Sequence, residues 1–338
     1  VFAELELYKG LTYNISFGGD YYGSHNDQYR SSELPLLGQK YYDVKSNPTA
    51  YSSSGFYFNW LVENKINYNT TIKDAHSINV VLVQSAQKET YKGDNVTATD
   101  FPNDYIQTIS GGTVIKGASD KTQWSIASYL ARVQYSYKGK YMASGAIRAD
   151  GSSRFGSNNR YGYFPSVSGG WVVSEEPFMR SVPHLNMLKL RASYGVTGND
   201  NIGNYTHIAN IGEYNYVLNG TLVSGASNSN IANVDLGWER TAQFDIGLDL
   251  SMFNNRFSFS YDYYKKATDN MIQARPIPQA SGFASITSNV GKIHFWGHEL
   301  SLGYNNTFGK FSWQSNFNIS FDRNKIVELV EPGYITRN

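Results

Sequence analysis

Apolar residues occupy every second position through most of this chain. Ala3, Leu5 and Leu7 alternate with polar neighbours, and beyond Lys9 and Gly10 so do Leu11, Tyr13, Ile15 and Phe17. A period of two marks a strand with one apolar face. A two-residue break between two such runs marks a tight hairpin. The pattern recurs over 56–68, about 76–87, 127–137, 141–149, 167–173, 188–196, 242–250, 257–263, 296–304 and 311–321. That makes about twelve strands, most near the roughly 9–11 residues that a tilted strand needs to cross a bilayer.

The connections carry a second pattern. Short ones fall near 9–10, 70–74, 138–139, 252–255 and 306–310. Long polar ones fall near 19–54, 90–122, 197–236 and 267–290, with a medium one at 151–162. Short and long alternate, as in an outer-membrane barrel with short periplasmic turns and long extracellular loops. The exception, 175–187, reads as a brief helical turn over Glu175, Glu176, Pro177, Phe178 and Met179 on the short-turn side. In this arrangement the apolar faces meet lipid, and Gln314, Asn316, Asn318 and Ser320 face the lumen. The expected fold is all-β: a partial transmembrane antiparallel barrel over 1–323, with 324–338 as the start of a further loop.

Composition supports this reading. Aromatic residues make up 15% of 338 residues, 27 of them Tyr, yet mean hydropathy is −0.44. A barrel that is apolar only in an outer band and ringed by aromatics has this balance. The longest aliphatic run, Val80 to Val83, is far short of the roughly 18 residues of a membrane helix. With a net charge of +1, no basic or acidic excess points to nucleic acid or to a highly charged partner. The absence of Cys excludes a disulfide framework. The chain starts at Val1 inside an alternating segment and reads as a piece of a longer protein.

Candidate chemistry is sparse. His294, His298 and Glu299 would make a metal motif on a helix, but on a strand the two imidazoles stand roughly 13 Å apart, so no metal site is expected. Gly151 and Gly156 have phosphate-loop spacing without the Lys or the strand–helix context. No catalytic residue and no cofactor is expected. Two other classes stay open: an enzyme on the barrel wall, which requires Ser and His within hydrogen-bond reach, and a soluble all-β glycan-binding protein. The amide-rich loops carry tyrosines suited to stacking on and hydrogen-bonding a sugar or peptide. The substrate-binding candidates are Tyr21, Tyr22, Tyr105, Tyr214 and Tyr216, with Tyr41 and Tyr42 in the same kind of loop.

One stretch is more specific. Asp150-Gly151-Ser152-Ser153-Arg154-Phe155-Gly156 is followed by Phe164-Pro165, Gly170-Trp171 and Ser174-Glu175-Glu176-Pro177-Phe178. Leu188 to Gly195, Trp238-Glu239-Arg240-Thr241, Asn289-Val290-Gly291 and Gly297-His298-Glu299-Leu300 follow in order. Together they resemble the SusC/RagA family of TonB-dependent outer-membrane transporters, a Bacteroidetes-type family. The resemblance covers most of the chain outside the loops. It implies a barrel of about 22 strands around a plug, and uptake of oligosaccharides or peptides with a SusD-like surface lipoprotein as lid. It also implies coupling to TonB through a plug absent from this chain, and an outer-membrane setting among lipid and lipopolysaccharide. The motif residues Asp150, Gly151, Ser152, Ser153, Arg154, Phe155, Phe164, Pro165 and Trp171 read as structural: Asp150, Arg154 and Arg160 pair locally, and Pro165 starts a strand.

Overall fold

The computed structural model describes residues 1–34 and 47–329. Its main sheet has twelve antiparallel strands, hydrogen-bonded in chain order. They are β1 (Phe2–Tyr8), β2 (Leu11–Arg30), β3 (Thr49–Ile72), β4 (His76–Thr99), β5 (Thr113–Tyr137), β6 (Tyr141–Ser152), β7 (Tyr161–Val172), β8 (Leu185–Asn199), β9 (Glu239–Met252), β10 (Phe257–Asp269), β11 (Lys292–Phe308) and β12 (Phe311–Glu328). The chain divides into two compact units. One comprises Val1, Ser16–Val62 and Ala86–Ser125, the distal parts of β2 to β5. The other comprises Phe2–Ile15, Glu63–Ser85 and Ile126–Asn338, with a share of every strand.

Several strands outrun the alternation. The expected loop 19–54 is strand up to Arg30 and again from Thr49, and 90–122 is strand up to Thr99 and from Thr113. β12 continues past residue 323 to Glu328. Beyond the lipid band both faces of a strand meet water, so the backbone ladder persists while the apolar period disappears. Tyr41, Tyr42 and residues 330–338 lie outside the described residues.

Within the second unit the register keeps the two faces distinct. In β9, Phe244, Ile246, Leu248 and Leu250 face one way, opposite Tyr194, Ala192, Leu190 and Leu188 of β8. Asp245, Gly247 and Asp249 face the other way, opposite Ser193, Arg191 and Lys189. The apolar face is exposed: Tyr129, Val133, Ile147, Tyr163, Val167, Phe244, Ile246 and Phe317 all lie open. A soluble sheet would bury such a face against another layer.

The hairpins are tight where the chain must reverse on this face. Lys138 and Gly139 both take positive φ, 52° and 67°, as a type I′ turn requires. The turn between β7 and β8 is two short helical turns, Val173–Glu175 and Pro177–Met179. It is held by Glu176, which accepts from Tyr141 Oη (2.5 Å), Trp171 Nε1 (3.0 Å) and Lys140 Nζ (3.2 Å). Those bonds hold the Glu176 carboxyl below the usual carboxylate range. Tyr137, Tyr141 and Trp171 stack in a row at 6.3 and 6.5 Å. Rings with a polar edge at one level of an apolar wall form an interface belt.

Pro165 lies inside β7, opposite Ile147, rather than at the strand start. The ladder from β7 to β8 begins one residue later, at Ser166 and Gly195. The missing N–H therefore falls where the second ladder has ended.

Candidate functional site

The motif residues converge in the second unit, where the loops after β6, β8 and β10 emerge. Asp150, buried, takes both carboxylate bonds from Arg148 Nε (2.8 and 2.7 Å), and Arg148 Nη2 donates to Ser128 Oγ at 2.9 Å. Gly151 and Ser152 are buried beside it, and Ser153 is half-buried at the head of the turn. Ser152 Oγ donates to Asp200 Oδ2 at 2.8 Å. Arg154 donates from Nε to Asn204 Oδ1 and from Nη1 to the Asp200 carbonyl, each at 3.1 Å. His207 Nδ1 donates to the Arg154 carbonyl at 3.0 Å. Asp150 pairs with Arg148, two residues away, whereas the Arg154 guanidinium reaches Asp200 and Asn204 across the chain while its backbone N–H donates to Ser152 Oγ at 3.3 Å. Arg160 contributes its carbonyl, which accepts from Trp238 Nε1 at 3.0 Å.

Below this polar layer, Phe155, Phe164, Leu236 and Trp238 form a closed apolar cluster. Trp238 stands 5.0 Å from Phe155 and 5.3 Å from Phe164, edge-on to the latter. Gly198 leaves the space into which Phe164 and Trp238 fit, since a Cβ there would run into both rings. The motif therefore knots the β6–β7 loop to the long β8–β9 connection. Trp171 is remote from the knot, in the stacked row at the short turns.

The polar face of β8 to β10 carries a charged cluster. Arg191 bonds Asp249 through Nε (3.0 Å) and Nη2 (3.2 Å), and Asp262 through Nη2 (2.7 Å) and Nη1 (2.6 Å). Gly247 lies directly opposite, and a Cβ there would meet the guanidinium carbon at 2.6 Å. Glycine at 247 is the room that the guanidinium occupies. Alongside runs a groove of about 520 Å³ lined by Ser77, Asn79, Gln134, Ser144, Lys189 and Arg191 among others. Hydroxyls, amides and a pinned cation suit reversible hydrogen bonding to a polar, hydrated molecule.

The tyrosine candidates separate. In the first unit Tyr22 meets Tyr57 at 6.2 Å, and Tyr57 meets Tyr91 at 4.5 Å, a three-ring ladder across β2, β3 and β4. Gly93 accommodates the Tyr91 ring, and Asp120 lies beside it. Tyr57 sits on the polar parity of the alternating run 56–68, and Tyr91 falls in the expected loop 90–122, which is strand up to Thr99; an aromatic on the polar parity is the signal that finds Tyr57. Tyr21 stacks on Phe56 at 6.1 Å, on the opposite face. Tyr105 is 93% exposed in the loop after β4. That loop is tied down by Asp104, which accepts from Tyr29 Oη (2.6 Å), Ser32 Oγ (2.6 Å), Ser31 Oγ (3.1 Å) and Ser32 N (3.1 Å). The Ser32 and Tyr29 bonds hold its carboxyl down at about 2. Tyr214 and Tyr216 belong to the second unit. Tyr214 follows the leading strand of one small loop hairpin, Ile211–Glu213 paired with Ala226–Asn228, and Tyr216 opens a second, Tyr216–Leu218 paired with Thr221–Val223.

A Ser–His–Asp contact does exist. His25 Nδ1 lies 3.0 Å from Ser54 Oγ, and Nε2 lies 2.9 Å from Asp27 Oδ2. The imidazole and the carboxylate are 61% and 67% exposed. A catalytic triad works from a desolvated Asp beside oxyanion donors; here water reaches the whole row, and His25 with Ser54 shares the parity of Tyr21 and Phe56. His298 likewise is engaged by an aromatic, Tyr261 Oη at 2.8 Å from Nδ1.

A polar inner face, an exposed apolar outer face and loops knotted at one end have clear counterparts. Residues 3–334 match the family described as "TonB dependent receptor-like, beta-barrel". The TonB-dependent receptor P39 of Formosa agariphila is 36% identical over 340 residues, 99% of this chain and 32% of the relative. The TonB-dependent receptor SusC of Bacteroides thetaiotaomicron is 32% identical over 62% of this chain and 21% of its own length. Among solved structures, the RagAB peptide importer in its closed-closed state superposes with a TM-score of 0.90 at 28% identity, over 100% of this chain and 37% of that one. The chain thus spans about a third of the length of the curated relatives it matches most fully. Receptors of this kind are transporters of the bacterial outer membrane, not enzymes, and the wall described here is an outer-membrane one. With its twelve-stranded sheet and a match running almost end to end, the chain belongs to the TonB-dependent receptor β-barrel family.

Proposed function

We propose that this chain is the wall segment of an energy-coupled importer that takes up an oligosaccharide or a peptide. The observation that carries the reading is the 0.90 superposition on the RagAB peptide importer across the whole chain, together with a polar inner face. A TonB-driven plug, held elsewhere in the full protein, supplies the energy coupling, and a SusD-like surface lipoprotein supplies the lid. The wall contributes shape and hydration. The short turns face the periplasm and the knotted loops the outside. Tyr22, Tyr57 and Tyr91 form the aromatic surface on which cargo stacks, with Tyr105, Tyr214 and Tyr216 as further loop contacts.

Deletion of the full-length gene tests this. Loss of growth on an oligosaccharide or on oligopeptides, with normal growth on the matching monomers, is the expected result. Normal growth on both oligomer classes would refute it.

A further inference from the structure

The outer wall of the second unit is not uniformly apolar. On β2, β3 and β4, Tyr13 Oη donates to Asn64 Oδ1 at 2.7 Å, and Asn64 Nδ2 donates to Gln84 Oε1 at 2.8 Å. These three residues share the parity of Ile15, Ile66 and Leu82, the lipid-facing one. Next to them is a groove of about 460 Å³. Its floor includes two small residues, Ala131 and Ala149, each paired with a large neighbour: Ala131 with Ile147, Ala149 with both Tyr129 and Tyr163.

Placing amides on a hydrocarbon face is costly unless their polar groups are satisfied. The row engages the Asn64 carbonyl and one of its N–H groups. It leaves the Gln84 amide N–H groups, and the hydroxyls of Tyr129 and Tyr163, without a partner among the described residues. Three donors at the rim of an apolar groove call for a ligand with an apolar chain and oxygen acceptors near one end.

The depth of the groove selects the ligand. Tyr129 lies eight residues before Tyr137 of the interface belt. At about 3.3 Å per residue that is about 26 Å along the strand. With a tilt near 40° it is about 20 Å of the roughly 25 Å apolar band. The donors thus sit at the far boundary of the band, on the loop side, which is the outer leaflet. Lipopolysaccharide fills that leaflet, and its β-hydroxyacyl chains carry ester or amide carbonyls and a hydroxyl just below the sugar.

We propose that this groove binds one acyl chain of lipopolysaccharide, with Gln84, Tyr129 and Tyr163 donating to its carbonyl and hydroxyl oxygens.

Native mass spectrometry of the full-length transporter in mild detergent tests the site, with deep-rough lipopolysaccharide as probe and phosphatidylethanolamine as competitor. One lipopolysaccharide is expected to stay bound against excess phospholipid. Ala149→Phe, which fills the floor, is expected to abolish that binding. Gln84→Leu is expected to weaken it about fivefold to tenfold, the loss of one hydrogen-bonding group. Heat-modifiable gel mobility confirms an intact barrel. If Ala149→Phe does not fold, Gln84→Leu, which places a more apolar side chain on a lipid face, decides alone. Absence of retained lipopolysaccharide, equal displacement by phospholipid, a second copy of the transporter in the groove, or wild-type affinity in Gln84→Leu would each overturn the proposal.

Discussion

Replacing Trp238 by Ala removes the centre of the loop knot while leaving every barrel strand its own residues. An aromatic side chain of this size buries on the order of 200 Å², and about 25 cal/mol per Å² gives about 5 kcal/mol. A compact unfolded reference lowers this by roughly 10–40%, to about 3–4.5 kcal/mol. Measured Trp or Phe to Ala changes in cores, about 3–5 kcal/mol, agree. The loss is local, because the partners of Trp238 are Phe155, Phe164 and the Arg160 carbonyl at the loop end. At about 1.4 kcal/mol per decade, amide exchange over 153–160 and 200–238 is expected to accelerate by about two to three decades. Exchange in β8 and β9 stays slow. Trp238→Phe keeps the ring packing and loses the indole N–H, so it should cost about 1 kcal/mol. Hydrogen exchange with mass spectrometry of the full-length protein in detergent reads both effects. If the loops of Trp238→Ala exchange as in wild type, or if the strands melt with them, the knot is not the unit that holds the loops.

Three further outcomes follow from the geometry. Arg191→Met leaves Asp249 and Asp262 facing each other without their shared cation; with the cluster about a third open to water, the cost is about 1–3 kcal/mol. This should appear as a lower heat-modification temperature, largely restored by adding Asp249→Asn and Asp262→Asn; no restoration would refute the charge argument. Asp104 has a folded pKa of about 2, below its unfolded value near 4. Its anchoring is therefore complete above about pH 4 and lost as pH falls toward 2; proteolytic nicking of the loop after β4 should rise over that window, while Asp104→Asn should be nicked already at pH 7. Ser54 beside His25 is too hydrated to act as a nucleophile, so a fluorophosphonate probe should leave it unlabelled; stoichiometric labelling would reopen hydrolytic chemistry.

The sequence pattern was most informative where physics imposes a period. Phe244 to Leu250 meets lipid on one side and water on the other, so alternation marks it directly. The distal parts of β2 to β5 meet water on both sides, and there Tyr21, Tyr22 and Asp27 read as loop although they pair as strand. The motif 150–156 was visible as a string, but its partners were not. Asp200, Asn204 and Trp238 lie far along the chain, and only the ladder from β6 through β9 brings them back. Pro165 misled for a related reason: a proline demotes a strand only if its N–H is needed, and the strand ladder that would need it ends one residue away.

The scarcity of buried side chains has a consequence for sequence drift. Among the described residues only nine apolar side chains are buried, four of them in the knot. Elsewhere the packing partner of an outward side chain is a fluid acyl chain that conforms to whatever shape it meets. Protein interiors punish a change of one methylene because their neighbours are solid; a lipid neighbour does not. Outward positions such as Val133, Val167 and Ile246 are thus free to exchange among Val, Ile, Leu and Phe at little cost. Phe155, Leu236 and Trp238 are not, and a lineage can reshape its membrane face without touching the fit of its loops.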